Sequence, residues 1–150
     1  MFPDPTLRWK PRPSPLDGLQ APPFVLDRGL WRGVLHLIVL EADPGPRAWG
    51  LEVPCQAYFA VEAAIYAGAS HGGPAGAWDG AVYLKEAERS QLMGAHAAIA
   101  RPKRIPRHFA FLGSEFCYET LGFDEPVVRA FASREDAWAW RRQRGPDARP

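Results

Sequence analysis

"RHFAFLGSEFCYETLG", residues 107–122, sets two aromatic-rich runs on either side of a Gly-Ser pair. Gly followed by Ser suits a two-residue type II′ turn, which wants Gly at its first central position. Such a turn pairs Phe109 with Tyr118 and His108 with Glu119. One face of the hairpin then carries Phe109, Phe111, Phe116 and Tyr118. The other carries His108, Ala110, Cys117 and Glu119. Side chains alternate across a strand, so the aromatics supply an apolar face and the polar residues gather on the other.

Around this hairpin the chain reads as further antiparallel strands. "GVLHLIVLEAD" (33–43) is apolar at both parities, as expected of a strand covered on both faces. "DPGP" turns the chain, and "RAWGLEVP" (47–54) returns antiparallel to it. "AVYLKEAE" (81–88) and "VVRAFA" (127–132) are the remaining strands. "CQAYFAVEAAIYAG" (55–68) changes period: Tyr58, Val61 and Ile65 form a stripe that predicts a buried helix. Ser90 caps a second helix, "QLMGAHAAIA". Ser133, with Asp136 three residues on, opens a third, which has acids in its first turn and arginines in its last. These parts predict an α+β fold. It has a mostly antiparallel sheet of about six strands, with about three helices packed mainly on one face.

Seven of the 16 prolines fall in residues 1–23. Proline fixes φ and lacks an amide donor, so this segment reads as an extended arm, with residues 24–150 forming one domain. Phe2, Leu7, Trp9 and Leu19 are its apolar anchors, in cis or onto a partner.

A net charge of +1 provides no global field for nucleic acid or an anionic membrane. Uninterrupted apolar runs, "LIVL" (37–40) among them, do not exceed five residues, too short to span a bilayer. The opening residues lack a signal-peptide pattern, so a cytoplasmic location is expected. Cys55 and Cys117 form neither a CxxC nor a Cys/His ligand pair, so no metal and no cofactor is expected.

Several residues are candidates for chemistry. His108 and Glu119 form either a base with its orienting carboxylate or a cross-strand pair stabilising by about 0.2–1 kcal/mol. Glu62, between Tyr58 and Tyr66 on the predicted helix, must be paired or protonated if buried. Cys55 stands where that helix would begin, a place that favours a thiolate, although most free cysteines behave as small core groups. His36 lies on an apolar strand, either as a core residue or facing Glu62. The Gly-rich stretch 69–80 carries Trp78 and Asp79, as a lid or a plain connection, and lacks a P-loop pattern. "RPKRIPR" (101–107) is a solvated basic linker, or a contact for an anion or nucleic-acid phosphates.

No motif among these defines a reaction. The leading expectation is a small, non-catalytic binding or protein-interaction module, of bacterial accessory or toxin-neutralising type. It would join a protein partner or its own copies, with Trp9, Trp78, Asp79 and His36 among its contacts. The alternative is a small enzyme or ligand-binding protein, with a sheet–helix pocket lined by Glu62, His36, His108 and Glu119.

Overall fold

The computed structural model describes residues 7–41, 45, 47–62, 82–99 and 104–145. They form nine strands: β1 (Arg8–Pro11), β2 (Phe24–Trp31), β3 (Val34–Leu40), β4 (Ala48–Pro54), β5 (Ala57–Glu62), β6 (Leu84–Arg89), β7 (Arg107–Leu112), β8 (Phe116–Gly122) and β9 (Val127–Phe131). Two helices join them, α1 (Gln91–Ile99) and α2 (Arg134–Arg142).

All strand pairs are antiparallel. A five-stranded sheet has the order β1-β6-β7-β8-β5, and a four-stranded sheet the order β2-β3-β4-β9. This corrects the expected single sheet of about six strands with about three helices on one face. The helices serve different sheets: α2 lies against β3, β4 and β9, and α1 against β7.

The expected helix over 55–68 is replaced by β5 as far as residue 62; the remainder lies outside the described residues. The run 57–62 also alternates, and β8 offers it an edge. Residues Ala57 to Glu62 pair with Leu121 to Phe116. A short apolar run fits both periods, and the neighbouring strand decides.

The two sheets pack face to face. Leu35, Leu37 and Val39 of β3 and Trp49, Leu51 and Val53 of β4 point inward. They form one buried cluster with Leu84, Phe111 and Tyr118 of the first sheet. The alternate residues of β3 and β4, Ile38, Leu40 and Ala48, form a second cluster under Ala137 and Trp140 of α2. Thus β3 is covered on both faces. Gly50 lets α2 sit down: a Cβ there would lie 2.7 Å from the Trp140 ring.

The β2–β3 turn places Arg32 at φ 50° and Gly33 at φ 72°, both left-handed, as a type I′ turn requires. The proline-rich segment adds β1 to the edge of β6 and sends Leu16 and Leu19 into the inter-sheet cluster.

The 107–122 hairpin forms with its turn displaced by one residue. Gly113 N–H donates to Phe116 O at 3.0 Å, and Leu112 pairs with Cys117. Phe109 therefore faces Thr120 instead of Tyr118. Gly113 now flanks the turn, where a Cβ would lie 2.8 Å from Phe116 O, so the close approach requires glycine. The change moves each partner by two residues, which preserves every face.

Candidate functional site

The face of the first sheet turned away from the second holds a chain of buried polar groups. Its register is Ala87 beside His108, with Ala110 between Lys85 and Glu119. His108 and Glu119 lie diagonally across the β7–β8 hairpin, and His108 Nε2 meets Glu119 Oε1 at 2.8 Å. The other ring nitrogen, Nδ1, meets Ser90 Oγ at 2.9 Å. Ser90 follows β6 directly and caps α1, accepting the Met93 N–H at 3.2 Å.

One tautomer satisfies this chain end to end. Nε2–H donates to the carboxylate, the serine hydroxyl donates to Nδ1, and Oγ accepts the helix amide. Ser90, His108 and Glu119 are only 7%, 1% and 4% exposed. Lys85, on the same face, is 4% exposed. The half-buried Trp9 of β1 sets its ring edge-on to His108, centroids 4.9 Å apart.

Both His108 and Glu119 were legible as a pair. The contribution of Ser90 was not, because nothing in the local sequence ties residue 90 to residue 108. The tie is the β6–β7 register, which brings the end of β6 beside His108.

The other candidates stand apart from this chain. Glu62 ends the edge strand β5 and is exposed, which corrects its expected burial on a helix. His36 lies on the outer face of the second sheet, between Trp31 and Trp140 at 6.2 and 5.8 Å, and does not meet Glu62. Burial pushes the His36 pKa down, and Arg141 and Arg144 add to this against the opposing pull of Glu52. Cys55 follows a strand instead of opening a helix. Burial raises its thiol pKa and pushes that of Cys117 up to about 12, so neither is a ready nucleophile. Trp78 and Asp79 lie outside the described residues.

The two arginines of the basic stretch that lie among the described residues are engaged. Arg104 stacks over Phe123, its guanidinium 4.3 Å from the ring centroid, and Arg107 pairs with Glu86 and Glu125. A small apolar cavity between the sheets, lined by Leu37, Phe109, Tyr118 and Thr120 among others, has room for about one water. Among the described residues, no group of three or more His, Cys, Asp or Glu could hold a metal. No helix there is long and apolar enough to cross a membrane.

A second surface is the rim of the sandwich at β2. This strand pairs with β3 alone among the described residues, leaving its other edge open. Leu26 and Leu30 are 37% and 51% exposed. Arg28 lies over the rings of Phe116 and Tyr118, and Arg32 over Trp31.

The chain is thus an antiparallel β-sandwich with a buried serine–histidine–glutamate chain on one outer face and a leucine-bearing edge that is unpaired among the described residues. Compared with protein-family models, curated proteins and solved structures, it matches none.

Proposed function

We propose that this protein is a small cytoplasmic binding module that takes an extended segment of a protein partner onto β2, in an accessory or neutralising role. The observation that carries this reading is the edge of β2, unpaired among the described residues, with Leu30 half exposed on it. An open edge is a row of unpaired backbone donors and acceptors, and strand addition uses it. The bulge between Val25 and Asp27 interrupts the start of the edge, so an added strand runs beside Asp27–Trp31. Exposed Leu30 supplies apolar area there, while Trp31 and the neighbouring arginines are residue types in which interfaces concentrate binding energy. Two free, buried cysteines suit a reducing compartment.

The test is selection of extended peptides from a display library on the folded protein. Selected peptides should protect β2 amides from hydrogen exchange. Leu30→Lys should weaken them at least tenfold, since burying a leucine stabilises by about 1.5–3 kcal/mol. Peptides that protect another surface, or that bind Leu30→Lys equally well, overturn the reading. So does sedimentation showing β2 already occupied by a second copy.

A further inference from the structure

We infer that Ser90 is a nucleophile for acyl transfer, with His108 as its base and Glu119 orienting the base, and that Trp9 covers it. This activity is additional to partner binding at β2 and does not depend on it.

The geometry has the parts that such chemistry requires. A serine hydroxyl needs a base within hydrogen-bond reach, and the base needs a group that fixes its ring. Here the two links are 2.9 and 2.8 Å. Recognition rests on these roles and distances, since the order of the three residues along a chain varies between unrelated folds.

Burial adds a second argument. Removing an imidazole and a carboxylate from water is costly unless each is held by partners, and all three groups here are more than nine-tenths buried. Capping alone does not ask for this. Ser133 caps α2 by accepting the Asp136 N–H at 3.1 Å, and it is only partly buried. Ser90 performs the same capping task and has a histidine and a glutamate behind it as well.

The surroundings suit the developing charge. Ser90 sits at the start of α1, a nine-residue helix whose first-turn amides and dipole favour an anion. The buried ammonium of Lys85 shares the face with Glu119.

The substrate class is a small acyl ester. Ser90 Oγ adds to the carbonyl carbon while its proton moves to His108 Nδ1. The bond to the leaving alcohol then breaks, and His108 returns that proton to the alkoxide, leaving an acyl ester on Ser90. A water repeats the step: His108 takes its proton, the acid leaves, and the proton returns to Ser90 Oγ. Access is the remaining requirement. Trp9 belongs to a four-residue edge strand that pairs only with β6 among the described residues, and its register slips between Arg8 and Trp9. Its ring packs on His108, so its release would open the base side of the chain to an ester.

The experiment is labelling of the full chain with a fluorophosphonate probe, which phosphonylates an activated serine and releases fluoride. Modified residues are mapped by peptide mass spectrometry, and folding is checked by circular dichroism. Trp9→Ala should be labelled on Ser90 at least tenfold faster than wild type. Adding His108→Gln or Ser90→Ala should abolish the labelling. If Trp9→Ala fails to fold, Trp9→Phe, a smaller cover, is held to the same criterion. A folded variant whose Ser90 stays unmodified overturns the inference. So does labelling that persists at an equal rate without His108, because a merely structural chain would not couple the two residues.

Discussion

Arg107 grips Glu86 through two parallel hydrogen bonds, Nε to one oxygen at 2.9 Å and Nη2 to the other at 2.8 Å, and reaches Glu125 with Nη1 at 2.7 Å. Arg12 meets the same two carboxylates, so the segment after β1 is tied to β6 and to the β8–β9 turn. The Arg107 hydrogen bonds hold the Glu86 carboxyl below its usual range, against the opposing effect of burial.

A depressed carboxylate pKa gives a definite sign. The stability it contributes is present above the unfolded-state pKa and is lost as pH falls through the folded-state value. Urea unfolding of wild type should therefore weaken on acidification into the carboxylate range. Glu86→Gln should show less of that dependence. At neutral pH it should be less stable by about 1–3 kcal/mol, the cost of losing hydrogen bonds to charged groups.

His36 should act in the neighbouring range. Its pKa is lowered, chiefly by burial, and it faces Glu52, Arg141 and Arg144. The unfolded chain then binds the proton first, so stability should fall as pH drops below about 6.5, the ordinary histidine value. His36→Gln should flatten this part of the stability profile in chemical denaturation. An unchanged slope would locate the effect elsewhere.

Gly50→Ala should destabilise without unfolding. The added Cβ would lie 2.7–2.8 Å from the Trp140 ring and 2.9 Å from Phe131, all in the packed contact beneath α2. Overpacking of this kind costs roughly 1–3 kcal/mol. Equilibrium unfolding followed by tryptophan fluorescence should show the loss, with the helix content in circular dichroism retained.

Cys117 should resist alkylation at neutral pH in the native protein, because burial pushes its thiol to about 12. Cys55, raised for the same reason, should also react slowly. Both should react freely in denaturant, and the native-state alkylation rate reports opening of the sandwich.

These features differ in how openly the residues announce them. His108 and Glu119 share a face because side chains alternate with a period of two, and this survives the displaced turn, although His108 now stands opposite Leu121 instead of Glu119. The two serine caps are local signals and form as read. The double covering of β3 follows from apolar residues at both parities. By contrast, β5 carries apolar side chains compatible with either period, and only the edge of β8 decides between them. In β2, the interior "DRG" breaks the apolar alternation, so pairing with β3 holds the strand more than its own pattern does. Ser90 joins His108 through strand register, a long-range fact that a local reading cannot supply.

The pairing of Arg8 with Arg89 sets a timetable for a chain leaving the ribosome. β1 is synthesised first, yet its partner β6 appears some eighty residues later, after β2, β3 and β4 have had time to form their meander. At roughly 5–20 residues per second, the delay is about 4–16 s. During that interval Trp9 has no sheet to join. The second sheet can therefore begin to form before the first, and β1, made before all its strands, is among the last to take its place.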